Sequence, residues 1–342
     1  MRIVFMGTPE FAVLPLESLI TNGYEIVAVY TQPDKAAGRG RVVEESAVKK
    51  AALRLNLNVL QPANLKSAEV RIHLAELKPE AVVVAAFGQI LPQSVLEIPP
   101  LGCINIHPSL LPKYRGVAPV PAAILNGDEF TGVSIMLMDK GVDTGPLLSR
   151  AQIPILPQDT GGSLLGKLSL ISAQLLLDTL PRWSRKEIKS QSQNDTIATY
   201  TKMLTKEAGE IDWKLAAMEI WRRVRAYQPW PGSYTQWRGK QLKIIEAVPL
   251  ADKGIDKPGS VVAIEESAAV FGVVSGDGVL GIIKVQLEGK KVAAAGEFLR
   301  GQREFLGTVL GSPSPYSSIV PSGPKGWQGI GKRGKLEIVI LP

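Results

Sequence analysis

The sequence predicts an α/β fold in which a doubly wound, mostly parallel sheet is followed by a smaller β-barrel. Through the first half of the chain, short apolar runs of strand type alternate with helical patterns, and this order is typical of a parallel sheet with helices on both faces. In the second half, short strand patterns at regular spacing are separated by turns, as in a small barrel. The chain has 342 residues, 45% of them hydrophobic, which suffices for two domains.

Local patterns justify each element of the first half. The opening run from Arg2 to Gly7 is apolar throughout, as a strand buried on both faces should be. Pro9 opens a helix that Gly23 closes. Further strands are predicted at 25–31, 81–87, 104–107 and 132–138, and further helices near 46–55 and 67–77 and over 163–180. These elements define a first domain over residues 1–182.

The second half has a different texture. Residues 183–206 are polar and are predicted to be a linker that crosses the surface. A second domain over 207–311 begins with a helix that carries Arg222, Arg223 and Arg225, continues with short strands and ends in a helix near 294–306. Residues 312–342 are rich in Ser, Pro and Gly, which predicts a poorly ordered tail apart from a possible edge strand at 335–340.

Composition excludes several classes of protein. Cys103 is the only cysteine, which excludes a disulfide within the chain and a Cys-rich zinc site, and indicates a reducing compartment. Since His73 and His107 are the only histidines, we expect no metal. The longest apolar stretch, which starts at Ala81, is far shorter than the ~20 residues of a membrane span. We therefore expect a cytoplasmic protein with no membrane partner.

The positive charge is unevenly distributed. The chain carries a net charge of +7, yet residues 1–182 hold equal numbers of basic and acidic residues, so the excess lies in the rest of the chain. A neutral first half and a basic second half favour an enzyme domain joined to a domain that binds a polyanion such as RNA. An ordinary solvated basic surface is the alternative interpretation.

The first turn between a strand and a helix argues against a nicotinamide enzyme. A dinucleotide-binding turn requires the pattern Gly-x-Gly-x-x-Gly. In the segment GTPEFA, which starts at Gly7, Pro9 replaces the second glycine and removes an N–H group, and Ala12 replaces the third. The turn still leaves a helix N-terminus at the carboxyl edge of the sheet, where ligands of this architecture bind.

The segment from Gly102 to Pro146 holds the candidate catalytic residues. Asn105 and His107 are two residues apart at the end of a strand, so their side chains share one face and could donate to a developing oxyanion. Asp143 follows the next long strand, where it could orient His107 or accept a proton. Each of the three, taken alone, also fits an ordinary structural role at a strand end or in a turn.

Taken together, NIHPSLLPKYRG (105–116) and the DTG that begins at Asp143 resemble the folate-dependent formyltransferase superfamily. Its members transfer a formyl group from 10-formyltetrahydrofolate to an amine. The resemblance implies a Rossmann-like catalytic domain with Asn105, His107 and Asp143 as its catalytic triad. It also implies a folate site lined by the loop Ser109, Leu110, Leu111 and Pro112, opposite Phe87, Gly88, Ile90 and Leu91 across an apolar cleft.

Within the superfamily, RIVFMGTPEFAVLPLESLI (2–20) and TQPDKAAGRGR (31–41) are similar to methionyl-tRNA formyltransferases. That similarity implies initiator methionyl-tRNA as the acceptor, a role in translation initiation, and direct attack without a covalent intermediate. The loop after the second strand would then contact acceptor-arm phosphates through Lys35, Arg39 and Arg41. Arg222, Arg223 and Arg225 are further candidate phosphate contacts.

GEIDW (209–213) and PWPGSY (229–234) resemble the C-terminal domain of that family, an open barrel of oligonucleotide-binding (OB) type. Sugar formyltransferases share this domain, so an amino-sugar nucleotide formyltransferase is the alternative enzyme; it would act without tRNA and need neither Arg39 nor Arg41. A catalytically silent tRNA-binding protein is a third hypothesis. Family members often have Gly and Gln where this chain has Pro108 and Pro121, which puts only local loop shape in doubt. We expect a monomer, because the tRNA substrate is large.

Overall fold

The computed structural model describes residues 1–37, 42–251, 256–264, 269–311 and 337–339. In these ranges the helices are α1 (Val13–Thr21), α2 (Ala47–Arg54), α3 (Ala68–Glu76), α4 (Gln93–Leu96), α5 (Pro119–Asn126), α6 (Gly161–Ser184), α7 (Ala217–Ala226) and α8 (Ala295–Gly301). The strands are β1 (Arg2–Gly7), β2 (Glu25–Tyr30), β3 (Lys35–Ala37), β4 (Val42–Glu44), β5 (Val59–Leu60), β6 (Ala81–Ala85), β7 (Cys103–His107), β8 (Arg115–Gly116), β9 (Phe130–Leu137), β10 (Leu147–Pro154), β11 (Tyr200–Thr201), β12 (Ser233–Trp237), β13 (Lys240–Leu250), β14 (Val261–Ala263), β15 (Phe271–Val274), β16 (Val279–Leu287), β17 (Ala293–Ala294) and β18 (Glu337–Val339).

The larger sheet has the strand order β18-β10-β9-β7-β6-β1-β2-β5. Five of these strands are parallel to one another, namely β7, β6, β1, β2 and β5. The other edge is antiparallel, because β9 pairs with β7, β10 with β9, and β18 with β10 in that sense. The predicted mostly parallel α/β fold is therefore confirmed, and β18 lies within the predicted edge strand at 335–340.

The sequence prediction missed α5 and β10. Strand β10 alternates buried and partly exposed residues over its second half, because Arg150 and Gln152 interrupt its apolar residues. That pattern is typical of a strand with one solvated face rather than of the continuous apolar strands nearer the centre of the sheet.

Hydrophobic cores cover both faces of the larger sheet. Along β1, Ile3 and Phe5 belong to one core cluster and Val4 and Met6 to the other, as the period of two requires. Among the described helices, α6 is long and apolar enough to cross a membrane by length and composition alone. It instead packs against α1, β9 and β10, with its buried leucines in the first cluster.

The second domain is built on an antiparallel sheet with the order β12-β13-β16-β15-β14, and β17 adds to β16. This sheet curls into the half-barrel that the sequence predicted. Its core includes Trp237, Phe298 and Phe305, whose rings meet edge to face, with centroids 4.9 Å apart for the two phenylalanines.

The segment between the domains does more than connect them. Its side chains are mostly exposed, and α6 extends into it as far as Ser184. It also pairs with the first domain, because β11 runs parallel to β8 and Gln191 forms an antiparallel bridge with Leu147. The segment therefore lies against the start of β10 and against the loop that follows β7.

Candidate active site

The three candidate catalytic residues meet on one face of β7, against the turn that follows β9. In β7, Ile104 and Ile106 point into the first core cluster, so Asn105 and His107 face the opposite side of the sheet. Both are buried, with 8% of Asn105 and 4% of His107 exposed. Asp143 reaches the same place from the turn between β9 and β10. The structure thus brings together the three residues that the sequence singled out.

Asp143 is the centre of this arrangement. Its Oδ1 atom accepts a hydrogen bond of 3.2 Å from the Asn105 amide. Its Oδ2 atom accepts the Gly116 N–H at 2.8 Å and lies 3.5 Å from the His107 Nδ1 atom. Because one carboxylate contacts β7 and the loop after it, its position sets the relative placement of the amide and the imidazole.

The Nε2 atom of His107 is hydrogen-bonded to a backbone carbonyl group. His107 Nε2 lies 2.9 Å from the Tyr114 carbonyl oxygen. A carbonyl can only accept, so we assign a proton to Nε2. Nδ1 then faces the Asp143 carboxylate, and a second proton there would be held between Nδ1 and the carboxylate. Both ring nitrogens would then have partners, so such an imidazolium would stabilise nearby negative charge through its own positive charge.

Two sets of hydrogen bonds hold the turn that carries Asp143. The backbone of Asp143 is left-handed, with φ of 53°. Before it, the Asp139 carboxylate accepts the Gly141 N–H at 2.9 Å and the Thr144 hydroxyl at 2.7 Å. After it, the Gln193 amide donates to the carbonyl oxygens of Asp143 at 2.8 Å and Gly145 at 2.7 Å. Sequence analysis missed Gln193, since it lies in a polar segment remote from the motif.

The loop implied to hold folate is fixed by a serine pair. The Ser109 hydroxyl donates to the Lys113 carbonyl at 2.6 Å. The Ser134 hydroxyl donates to the Ser109 carbonyl at 2.7 Å and accepts the Leu111 N–H at 3.0 Å. Leu111 packs into a small cluster with Met136 and Leu147, and Pro112 is buried, whereas Leu110 is partly exposed. The inward-facing members of the loop therefore set its shape.

Residues 87–91, which the resemblance places opposite that loop, include both buried and exposed side chains. Phe87 and Leu91 are buried in the core cluster of the first domain that contains Val4 and Met6. By contrast, Gly88 is exposed and Ile90 is 85% exposed. Between them, the Gln89 amide nitrogen donates to the Pro62 carbonyl at 3.0 Å, and its amide oxygen is buried without a hydrogen-bond partner. Of these residues, Ile90 offers the apolar side chain that is most open to a ligand.

The basic residues implied to contact tRNA fall into two groups. Lys35 lies in β3, which forms a hairpin with β4, and its ammonium donates to the Gln32 side chain at 2.6 Å. The Gln32 amide in turn donates to the Gly88 carbonyl at 2.9 Å, so the hairpin begins beside the implied folate segment. Arg39 and Arg41 lie outside the described residues.

The arginines of α7 lie where the domains meet, because α7 packs against α5 of the first domain. Arg225 donates to the carbonyl oxygens of Asp159 and Leu156, both at 2.8 Å, and its guanidinium lies 4.3 Å from the centre of the Trp221 ring. Burial lowers the pKa of Arg225 to about 10. Its Nε and Nη2 atoms thus bind the first domain, which argues against the predicted phosphate contact; that contact stays a prediction. Arg222 lies against Gly127, and Arg223 pairs with Glu219 at 3.1 Å.

Comparisons with known proteins agree with this geometry. The family model described as formyl transferase matches residues 1–180, and the model described as formyl transferase, C-terminal domain, matches residues 203–303. A methionyl-tRNA formyltransferase of Dehalococcoides mccartyi is 50% identical over 312 residues, which are 91% of this chain and 98% of that protein. The chain belongs to the methionyl-tRNA formyltransferase family. Another member, from a Roseiflexus species, is 48% identical over 316 residues, which are 92% of this chain and 96% of that protein.

Solved structures with the same fold are more distant. An N-formyltransferase from Helicobacter canadensis, in complex with folinic acid and dTDP-3-aminofucose, superimposes with a TM-score of 0.61 at 21% identity, covering 86% of this chain and 99% of that chain. HypX from Aquifex aeolicus, in complex with tetrahydrofolic acid, gives a TM-score of 0.59 at 18% identity, covering 94% of this chain and 50% of that one. At this level of identity the likeness establishes the shared fold. In the described residues, no group of three or more His, Cys, Asp or Glu could hold a metal ion.

Proposed function

We propose that this protein transfers the formyl group of 10-formyltetrahydrofolate to the α-amino group of initiator methionyl-tRNA. The product, N-formylmethionyl-tRNA, would serve translation initiation in the cytoplasm, and we expect the enzyme to act as a monomer. The observation that carries the proposal is the meeting of Asn105, His107 and Asp143 at the carboxyl edge of the sheet, in a chain about half identical to methionyl-tRNA formyltransferases.

The proposed reaction is a direct attack of the amine on the formyl carbon. The amine must be neutral to attack, and negative charge then develops on the formyl oxygen. One Asn105 amide hydrogen is bonded to Asp143, which leaves the other for this oxygen. If His107 is protonated, its Nε2–H stays on the Tyr114 carbonyl and its Nδ1–H faces Asp143, so the ring would act on this oxygen through its positive charge and not as a hydrogen-bond donor. A donor such as the Asn105 amide typically contributes about 3–4 kcal/mol to lowering the barrier.

Asp143 has two proposed roles. Its carboxylate lies 3.5 Å from the His107 Nδ1 atom and orients that ring. It is also the nearest carboxylate that could accept the proton that the attacking amine loses, directly or through water. The loop 109–112, together with Phe87, Gly88, Ile90 and Leu91, would hold the folate, with the exposed Ile90 side chain facing the pterin. When bound, the cosubstrate supplies the formyl group, and its nitrogen leaves as the C–N bond breaks and takes up the proton that the attacking amine has lost.

The hairpin formed by β3 and β4 is the proposed contact for the acceptor arm. Lys35, Arg39 and Arg41 carry its positive charge, and Lys35 is connected through Gln32 to the proposed folate segment. Arg222 and Arg223 remain candidate phosphate contacts. The argument for them is weaker than for the hairpin, because α7 packs against α5 of the first domain. Contacts of this type neutralise phosphates and release counterions, so the affinity for tRNA should fall linearly with salt on logarithmic axes.

The acceptor distinguishes this proposal from its closest alternative. Formyl transfer from 10-formyltetrahydrofolate should be measured with initiator methionyl-tRNA, elongator methionyl-tRNA and an amino-sugar nucleotide in parallel. We expect fast transfer to the initiator tRNA alone. Transfer to the sugar without tRNA would instead support the amino-sugar enzyme, which shares the fold with the Helicobacter canadensis structure.

The His107→Ala variant separates an enzyme from a tRNA-binding protein without catalysis. We expect the affinity for tRNA to be preserved and formylation to be abolished, because His107 is 4% exposed and lies in the first domain beside Asp143. Unchanged formylation by this variant would remove His107 from the mechanism.

A further inference from the structure

The segment between the two family matches carries contacts that neither match includes. The matched regions are residues 1–180 and 203–303, and we call residues 191–201, which lie between them, the clamp segment. We propose that the clamp segment positions Asp143 for catalysis and that Gln193 and Arg115 are its positioning residues. This inference rests on the proposed formyl transfer, since Asp143 is placed in that chemistry.

The clamp segment holds the turn that carries Asp143. The Gln193 amide nitrogen donates to the carbonyl oxygens of Asp143 and Gly145, at 2.8 and 2.7 Å. Two residues earlier, Gln191 exchanges both backbone hydrogen bonds with Leu147, at 2.7 and 2.8 Å. The turn is therefore held both by its own Asp139 carboxylate and by the clamp segment.

The same segment holds the loop that contacts His107 and Asp143. Thr199 accepts the Tyr114 N–H on its hydroxyl and the Arg115 N–H on its carbonyl, both at 2.8 Å. The Thr201 hydroxyl donates to the Arg115 carbonyl at 3.1 Å. Gly116 has φ of 104°, and a Cβ atom there would come within 2.8 Å of the Thr201 carbonyl oxygen, so the chains approach as only glycine allows. This loop supplies the Tyr114 carbonyl to His107 and the Gly116 N–H to Asp143.

Gln193 joins these two regions through a single side chain. Its amide oxygen accepts from Arg115 Nε at 3.1 Å and Nη2 at 2.9 Å, while its amide nitrogen donates to the turn. Arg115 is only 1% exposed, and its other bonds go to Asp195 at 2.7 Å and the Tyr200 hydroxyl at 2.9 Å. Both donors and both acceptor sites of the Gln193 amide are thus occupied. A side chain that donates at one end and accepts at the other is required here.

The effect on chemistry follows from the geometry. Asp143 touches Asn105 across 3.2 Å and His107 across 3.5 Å, so a small shift of the turn relative to the loop changes both contacts. A displacement of about 1 Å in a catalytic arrangement can lower the rate by about 10²-fold. Gln193 itself is remote from the reacting atoms in this account and acts through Asp143.

The test uses the Gln193→Glu variant of the full chain. Glutamate keeps acceptors for Arg115 but, when ionised, loses both donors to the turn. We expect kcat to fall by about 10- to 100-fold with little change in KM for tRNA or folate. Asn194→Ala is the matched control, because Asn194 caps only its own turn by accepting from Thr196 at 3.0 Å. The control should retain the kcat of the wild type.

Two further readouts distinguish positioning from general support of the fold. In an Asp143→Asn background, Gln193→Glu should have little additional effect on kcat, because residues that act as a unit are not additive. Hydrogen exchange of the peptides that contain residues 112–118 and 141–147 should be faster in Gln193→Glu than in the wild type, and unchanged in Asn194→Ala. If Gln193→Glu does not fold, the same measurements are made on Gln193→Asn, which keeps both groups on a shorter stem.

Hydrogen exchange requires no acceptor, and kcat can be measured with whichever amine the wild type formylates best, so failure of the proposed acceptor leaves this test intact. A kcat within twofold of the wild type, together with unchanged exchange, would overturn the proposal. An equal loss of kcat in Asn194→Ala would also overturn it, because the effect would then belong to the whole segment and not to Gln193.

Discussion

Two segments border the active site and reach it by different means. The motif segment, residues 105–116, begins in a buried strand and places Asn105 and His107 in the site through strand parity. The clamp segment, residues 191–201, is mostly exposed and has the polar composition of a linker, yet it bonds to both sides of Asp143. The comparison teaches that average exposure does not reveal whether a segment supports a site. A few inward contacts, above all those of Gln193, suffice.

The sharpest test of the motif segment is Asn105→Ala. Removal of one donor to a developing oxyanion should lower kcat by about 10²–10³-fold with little change in the affinity for tRNA. Cys103→Ala is the matched control. Cys103 lies on the same face of β7 as Asn105, but it is packed in the core cluster that contains Val4 and Met6. Burial raises the pKa of the Cys103 thiol to about 12, so it has no thiolate to contribute. Steady-state kinetics that show equal losses in the two variants would contradict the distinction between site and core.

Arg115→Met tests the clamp segment through stability. The substitution keeps the buried stem but leaves the Gln193 amide oxygen and the Tyr200 hydroxyl without their donor. We expect the free energy of unfolding in urea to fall by about 2–4 kcal/mol. Arg185→Met is the control, because Arg185 and its partner Glu187 are both exposed and should contribute nothing measurable. If Arg115→Met were as stable as the control, the clamp segment would be only a connection.

A third comparison separates the two groups of basic residues. Lys35→Ala should reduce the slope of log affinity for tRNA against log salt by about 0.7–0.9, the effect of one lost phosphate contact. Arg225→Ala should leave that slope unchanged and lower the stability of the domain interface, because Arg225 is bonded to the Leu156 and Asp159 carbonyls. A reduced slope in Arg225→Ala would return this arginine to the set of phosphate contacts.

Much of the fold and the core of the site were predictable from the sequence. Apolar runs and the period of two predicted the central strands and the face on which Asn105 lies. The antiparallel β10 was missed, because Arg150 and Gln152 break its pattern. Gln193 could not be found from local spacing, since its partners lie about 50 residues or more away, at Asp143 and Arg115. The sequence shows that Arg115 stands inside the motif, but only the structure shows that it is buried and must therefore be paired.

We infer that Asp143 organises Asn105 and His107 for formyl transfer. The most direct measurement is the single-turnover rate of transfer to initiator methionyl-tRNA by the wild type and by Asp143→Asn, with both substrates saturating. Asparagine keeps the shape of the side chain but removes the charge that faces His107 Nδ1 at 3.5 Å. We predict a rate lower by about 10²–10⁴-fold, with unchanged dissociation constants for tRNA and folate. A single-turnover rate equal to that of the wild type would contradict the account.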